Sequence, residues 1–246
     1  MKQKYTVEKV FENVEIAEGV YKLSIKGKFN VKPGQFYLLR AWDLEPLLSR
    51  PISIHDVDEE KITFLYQVVG QGTEILAKLK NGDEIKLTGP LGNGFDVDKI
   101  KGRVAVVTGG IGIAPMLYVV KQLKNCNVDF YAGFKNECYS VDNVDENVNN
   151  FQLSTENGSR GHKGYVTDLL NTAEYDMVLC CGPEIMMHKV IKMCEKTNTT
   201  VYVSMENRMA CGVGACLVCT CKTKDGRKRT CKEGPVFLGE ELVLND

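Results

Sequence analysis

The chain has 246 residues, with 31 Lys plus Arg against 32 Asp plus Glu and a formal net charge of −1. Apolar residues make up 43% and charged residues 26%, the profile of a soluble globular protein whose length suits one large domain or two to three small ones. Balanced charge argues against nucleic-acid binding, which needs a basic excess to neutralise phosphates, and no long apolar run offers a membrane span.

The chain start alternates charge and lacks an apolar core, so no secretory signal is read and a cytoplasmic location is expected. Stable disulfides are rare there, and ten cysteines need another explanation. Residues 1–100 read as an antiparallel barrel or sandwich. Segments 21–25, 36–40, 62–66 and 84–87 are short, partly alternating and separated by turn signals. One helix is expected over 72–80, capped by Thr73, with Ile75, Leu76 and Leu79 on one face. Residues 101–204 change period. Buried-type strands at 103–108, 128–133, 176–181 and 201–204 alternate with helices at 114–124, from 164 onward, and at 183–196. That alternation predicts a doubly wound parallel sheet. The acidic, Asn-rich stretch 142–150 reads as a surface loop or frayed helix. Residues 205–246 form a third unit, because five of the ten cysteines fall in the last 36 residues.

Cys211, Cys216, Cys219 and Cys231 are spaced C-x4-C-x2-C-x11-C, and the first three match plant-type [2Fe–2S] spacing. Two sulfide-bridged irons need four thiolates, two per iron. Gly212 and Gly214 let the chain wrap such a cluster and aim N–H groups at sulfur. Two competing readings are structural zinc, which prefers two short Cys pairs where this segment has one, and cysteines without a ligand. Cys221 could replace Cys219 only by breaking the two-residue spacing, and reads as a small buried side chain. Cys126, Cys138 and Cys194 have no partner pattern.

The turn Gly109, Gly110, Ile111, Gly112, Ile113, Ala114, Pro115 follows a buried-type strand and opens a helix. That is where a pyrophosphate can meet backbone N–H groups. It is not G-x-G-x-x-G, so a tight turn without a ligand stays open as a reading. Cys181, Gly182 and Pro183 end another strand, and both turns would lie at the C-terminal edge of one parallel sheet, where ligands bind in open α/β folds. In the strand-rich half, Arg50, Pro51, Ile52 and Ser53 would set a guanidinium and a hydroxyl on one strand face toward a phosphate. By itself that pair is more often structural. Gly72 and Thr73 sit at a second helix start suited to phosphate. His55, His162 and His188 are isolated and read as structural or exposed.

Taken in this order, the segments resemble the ferredoxin–NADP reductase superfamily. Arg50, Pro51, Ile52 and Ser53 resemble its R-x-x-S flavin motif, and the turns at 109–115 and 181–183 resemble its nicotinamide-domain motifs. Segment 204–216, Ser-Met-Glu-Asn-Arg-Met-Ala-Cys-Gly-Val-Gly-Ala-Cys, is close to the signature of one family within it. That family is the electron-transfer subunits of NAD-dependent, class B dihydroorotate dehydrogenase. Segments 89–95 and 155–164 also resemble it, so the likeness spans essentially the whole chain.

The resemblance implies a multidomain β plus α/β fold: an antiparallel flavin-binding β-barrel, a doubly wound parallel-sheet nucleotide-binding domain and a small C-terminal [2Fe–2S] domain. It implies FAD held by Arg50 near the pyrophosphate and Ser53 near the isoalloxazine, with Pro51 and Ile52 between them. Tyr66, Gln67, Val68 and Val69 would line the flavin and ribityl chain, and Gly72 and Thr73 the pyrophosphate. Gly109 to Pro115, then Glu156, Asn157, Gly158 and Ser159, and Cys181, Gly182 and Pro183 would receive NAD(H), with Cys181 beside the nicotinamide. Cys211, Cys216, Cys219 and Cys231 would hold the cluster, although the x11 gap is short for the family. The implied partner is an FMN-containing dihydroorotate dehydrogenase catalytic subunit, in a heterotetramer of two of each. The implied task is relay of its electrons to NAD+ in pyrimidine biosynthesis. Nicotinamide exchanges two electrons as hydride, a [2Fe–2S] cluster takes one, and a flavin handles both, so the three parts explain one another. An NAD(P)H:ferredoxin-type oxidoreductase or hydrogenase diaphorase subunit is the alternative, and a zinc-bearing interaction module a third. Dinucleotide preference stays open: Glu137 suits a ribose 2′-hydroxyl and Lys135 a 2′-phosphate.

Overall fold

The computed structural model describes residues 4–142 and 144–243, with the backbone only of Asp145. Residues 1–3, with which the reading of the chain start begins, lie outside the described residues. Strands β1 (Lys4–Ala17), β2 (Val20–Lys26), β3 (Phe36–Arg40), β4 (Arg50–Val57), β5 (Lys61–Gln67) and β6 (Glu84–Leu91) close an antiparallel barrel in the order β1-β2-β5-β4-β3-β6. The pleat turns every second side chain inward. Leu23 and Ile25, Ile62, Phe64 and Tyr66, and Ile85 and Leu87 are accordingly all but sealed from solvent. Each such burial contributes about 1.5–3 kcal/mol, and closure leaves no unpaired edge. Helix α1 (Gln71–Ala77) drops Leu76 into the same core. Thr73 is not its cap. The helix begins two residues earlier, and Thr73 Oγ1 accepts the N–H groups of Val69 and Gly70 at 2.9 and 3.2 Å.

Strands β7 (Gly102–Gly109), β8 (Cys126–Phe134), β9 (Asn150–Thr155), β10 (His162–Lys163), β11 (Met177–Cys181) and β12 (Thr200–Ser204) form a parallel sheet in the order β10-β9-β8-β7-β11-β12. Helices α2 (Ile113–Gln122) and α3 (Glu184–Thr197) cover opposite faces. Val104 and Val106 pack with α2 in one core, and Ala105 and Val107 with α3 in the other. Burial on both faces is why these strands read as unbroken apolar runs. The α2-side core also contains Ala17, Val20 and Leu65 of the barrel, so α2 is wedged between the two units.

The helix expected from 164 does not form. Gly164 has φ +135°, and Asp168 folds back to accept the Tyr165 N–H at 3.0 Å, closing a single 3-10 turn at Val166–Asp168. Among its described residues, stretch 142–150 holds a 3-10 turn at Val144–Asn147 before β9 begins at Asn150. Beyond 204, β13 (Thr220–Thr223) and β14 (Gly226–Arg229) form a hairpin. Strand β15 (Val236–Leu238) then pairs antiparallel with β12 and returns the C-terminal segment to the sheet. Among the described residues no helix is long and apolar enough to cross a membrane.

At the start of the sheet, the Asp129 carboxylate, 3% exposed, accepts from Arg103 Nη2 at 3.0 Å, Asn150 Nδ2 at 2.8 Å and the Tyr175 hydroxyl at 2.9 Å. Burial pushes its pKa up, but these hydrogen bonds and the Arg103 charge outweigh burial and hold it below the ordinary carboxylate range. A depressed folded pKa contributes stability present above the unfolded value, about 3.9, and lost as pH falls through the folded one. Asp129→Asn is expected to cost about 1.5–3 kcal/mol at neutral pH, the worth of hydrogen bonds to a charged group. Urea unfolding at several pH values should show that deficit narrowing below about pH 4.

Candidate functional site

A cavity of about 400 Å³ opens where the barrel, the parallel sheet and the segment leading to the cysteines meet. The barrel contributes Phe36, Arg50, Pro51, Ile52, Ser53, Leu65, Tyr66, Gln67, Val69 and Thr73. The turn after β7 contributes Ile111, Ala114 and Pro115, and the end of β12 with the chain beyond it contributes Ser204 through Met209. The expectation that Arg50 and Ser53 share a strand face does not hold, because they are three positions apart and alternation puts them on opposite faces. Both nevertheless line the cavity, because Arg50 starts the strand and its long side chain lies across α1. A Cβ on Gly72 would stand 2.3 Å from Arg50 Nε, so only glycine lets the guanidinium rest there. Arg50 also lies over the Trp42 ring, 5.5 Å from its centroid, and donates to the Leu48 carbonyl. Burial lowers its pKa, and no carboxylate among the described residues pairs with it. A partly desolvated guanidinium without a counter-charge, at the wall of a cavity, suits an anionic group such as a pyrophosphate.

Tyr66 forms an aromatic wall. Its ring stacks on Tyr21 at 5.7 Å, and its hydroxyl donates to Asn13 Oδ1 at 3.2 Å. Asn13 Nδ2 in turn donates to the carbonyls of Leu76 and Leu79, which ties α1 to the same wall. Val68 turns away from the cavity, toward the barrel core. The Thr73 hydroxyl is already bonded within residues 69–73.

The two glycine turns of the sheet touch. A Cβ on Gly112 would lie 2.3 Å from the Cys181 carbonyl oxygen, and one on Gly109 would meet Pro183 at 2.7 Å. The first obstacle is backbone and cannot swing aside. Gly112→Ala is therefore expected to cost about 1–3 kcal/mol and to part the two turns, read as a lower thermal midpoint with weaker dinucleotide binding. Glu156, Asn157, Gly158 and Ser159 lie at the same end of the sheet but outside the cavity, in an exposed turn after β9. There Ser159 donates to the Asn136 carbonyl at 2.9 Å. The Glu137 carboxylate accepts the Glu18 N–H at 3.2 Å.

Cys181 is buried at the end of β11, level with Ser204 on β12. Burial first, then the Glu206 charge, push its thiol well above the usual range, so it is neutral. Glu206 reaches solvent through the cavity, yet the surrounding protein desolvates its carboxyl and raises its pKa. Phe36, Leu65, Glu206, Asn207, Arg208 and Met209 line the cavity without having been expected to. For Glu206 to Met209 the signal in the sequence is adjacency to the cysteine run, which the chain path from β12 turns into contact; Phe36 and Leu65 lie on β3 and β5 and carry no such signal.

The four cysteines stand as two pairs. The Cys216 N–H is aimed at the Cys211 sulfur, and the Cys231 N–H at the Cys219 sulfur. No three His, Cys, Asp or Glu side chains among the described residues converge as on a single ion. Burial raises the Cys211 pKa, but N–H groups of Cys216, Val213 and Ala215 and the Cys216 thiol outweigh it and bring it down to about 6. The distances to Cys211 Sγ are 3.3 Å from Ala215 N and 3.4 Å from Cys216 N, and Cys231 N lies 3.4 Å from Cys219 Sγ. Gly212 and Gly214 hold φ of +69° and +81°, and Gly212 packs on Leu38 and Leu91 so closely that a Cβ would clash at 2.8 Å. Arg229 braces the loop by donating to the Gly214 carbonyl at 2.9 Å while pairing with Glu233. Two thiol pairs, glycine turns and N–H groups aimed at sulfur fit a binuclear iron–sulfur cluster with two thiolates per iron. Cys221 is apart from them. It packs against the α3-side core, near the Lys228 carbonyl, whereas Cys219 and Cys231 share a small core with Phe36, Leu38, Leu91 and Met209.

Residues 206–243 match the family model for the iron–sulfur cluster binding domain of dihydroorotate dehydrogenase B. The chain is 72% identical, over all of both chains, to the electron transfer subunit of dihydroorotate dehydrogenase B (NAD(+)) from Clostridium acetobutylicum. It is 51% identical to that of Clostridium perfringens, over 98% of this chain and 99% of the relative. Its fold resembles the structure of an NADH-dependent reduced ferredoxin-NADP oxidoreductase with a TM-score of 0.87 and 30% identity, covering 97% of this chain and 90% of that one. It also resembles the fold of a ferredoxin NADP+ reductase from Neisseria gonorrhoeae with bound FAD and NADP, with a TM-score of 0.65 and 17% identity over 83% and 95% of the two chains.

Proposed function

The chain belongs to the family of electron transfer subunits of dihydroorotate dehydrogenase B (NAD(+)), and on that premise we propose that it relays electrons from a dihydroorotate-oxidising catalytic subunit to NAD+ in pyrimidine biosynthesis. It is a flavin and iron–sulfur oxidoreductase subunit whose cofactors are FAD and a [2Fe–2S] cluster, with NAD(H) as the exchanging dinucleotide. The observation that carries the reading is the cavity of about 400 Å³ where the barrel wall with Arg50 and Tyr66, the turn after β7 and the segment leading to the cysteines meet. A flavin supplies the conversion between hydride and single electrons. This chain's residues do the rest. Arg50, with Gly72 beneath it, binds the pyrophosphate, and Ser53, Tyr66 and Gln67 line the ring and ribityl chain. Pro51, Ile52 and Val69 complete the barrel side, and Thr73 shapes the helix start with its bonded hydroxyl. Residues 109–115 and 181–183 receive the nicotinamide end of NAD(H), with Glu156 to Ser159 farther along the same edge. Cys211, Cys216, Cys219 and Cys231 hold the cluster.

The partner is an FMN-bearing catalytic subunit, in an assembly of two of each. Cys216 is exposed, and Leu217 and Val218 beside it are 58% and 55% exposed. Apolar side chains left in water around the outward thiol support that face as the exit toward the partner. Co-expression with the catalytic subunit should yield a stable complex with dihydroorotate:NAD+ activity, and the chain purified without oxygen should contain flavin and iron. NADPH–ferredoxin turnover with no such complex would instead favour the ferredoxin-linked reading, to which the 30% identical fold neighbour points. A colourless chain carrying stoichiometric zinc would refute both.

A further inference from the structure

His55 lies two residues beyond Ser53 on β4 and faces out of the barrel, since Ile54 between them is sealed in the barrel core. Its Nδ1 is 2.9 Å from the carbonyl oxygen of Ala114. A carbonyl only accepts, so Nδ1 carries the proton and donates it. Ala114 belongs to the first turn of α2 and lines the cavity between barrel and sheet. Two more contacts follow along the same helix face. Tyr118 inserts into the barrel core, and Lys121 pairs with Asp56 at 2.5 Å. Positions 114, 118 and 121 recur at one and two helical turns, so α2 is fastened to β4 along a single stripe. Beside the seam lies an open cavity of about 350 Å³, with His55, Leu117 and Lys121 on one wall and Ser140, Val144 and Asn147 on the other. The His55–Ala114 contact is the first fastening of that stripe. That fastening is also the one closest to the reacting groups, since it joins the strand that carries Ser53 to the turn that carries Pro115.

We propose that His55 is a positioning residue, whose hydrogen bond to Ala114 sets the nicotinamide-receiving turn at its working distance from the flavin-binding strand. The inference rests on the reading of the preceding section. Burial lowers the imidazole pKa against the opposing influence of the Ala114 hydrogen bond and Asp56, with Lys121 and Lys22 adding to the lowering, so a neutral ring donates the bond. Small misplacements of reacting atoms, of about 1 Å, cost up to roughly 100-fold in rate.

The test is anaerobic stopped-flow reduction of the holo-chain's flavin by NADH, comparing wild type, His55→Leu and His55→Asn. His55→Leu should lower the limiting rate of flavin bleaching about tenfold while flavin content, visible spectrum and half-saturating NADH stay near wild type. His55→Asn, which keeps a side-chain N–H donor, should recover most of that rate. An unchanged limiting rate in His55→Leu would overturn the assignment. So would an equal fall in both variants that tracks their loss of FAD, which would make His55 a residue of general stability. If NADH fails to bleach even the wild-type flavin, the functional reading itself falls and takes this inference with it.

Discussion

Cys216→Ser is expected to strip the chain of its iron and of the cluster's visible absorbance while leaving FAD in place. Cys216 is exposed, at the outer end of its loop, and contributes nothing to the apolar cores. Its loss should therefore spare the barrel and the sheet. A hydroxyl replaces a thiolate poorly on iron, and loss of a direct ligand exceeds the ~10–100-fold effects seen when only a ligand's supporting group is removed. Dihydroorotate:NAD+ turnover by the complex should fall by about 100-fold or more on the same grounds, whereas NADH reduction of the flavin persists. Cys221→Ser is the matched control, since that thiol packs on the α3-side core and should leave iron content unchanged. An intact cluster spectrum in Cys216→Ser would refute the ligand set, as would loss of the cluster in Cys221→Ser.

Arg50→Ala should weaken FAD binding by about 1.5–3 kcal/mol, the worth of a hydrogen bond to a charged group. That is about 10- to 150-fold in Kd, measurable by fluorescence titration of the apoprotein. Arg50→Lys should recover only part, because an ammonium keeps the charge but not the planar fork or the stack on Trp42. Gly72→Val is expected to mimic Arg50→Ala without touching the arginine, since its Cβ would occupy the place of the guanidinium. Unaltered FAD affinity in both Arg50→Ala and Gly72→Val would remove Arg50 from the site.

Some features were legible because their physics is local. Three of the four cysteines proposed as cluster ligands lie within nine residues, 211–219, so their spacing alone specifies a loop. Segments 103–108 and 176–181 read as buried strands because both faces of the sheet are covered and nothing polar interrupts them. Strand β1 was missed for the opposite reason. Tyr5, Val7 and Phe11 face solvent, so its apolar alternation marks the outside of the barrel and is interleaved with charges. Strand β4 opens with Arg50 and Pro51 and reads as motif before it reads as strand. The absent helix after 164 was a case of local pattern overruled: Thr172 bonds to the Met193 carbonyl on α3 and its own carbonyl accepts from Thr199, which pins the chain after one turn.

The sequence by itself determined the order of units, the cysteine spacing and the alternating faces of the sheet, since these depend on neighbours along the chain. Only the tertiary structure decided which residues share the cavity. It set Arg50 and Ser53 on one wall despite their odd spacing, left Glu156 to Ser159 outside it, and brought Glu206 to it through the chain that follows β12. It also separated Cys221 from its neighbours by turning it toward a different core. These placements depend on how α2 wedges between barrel and sheet and on the path from β12 to the cysteines, and long-range packing of that kind leaves no fixed interval in a sequence.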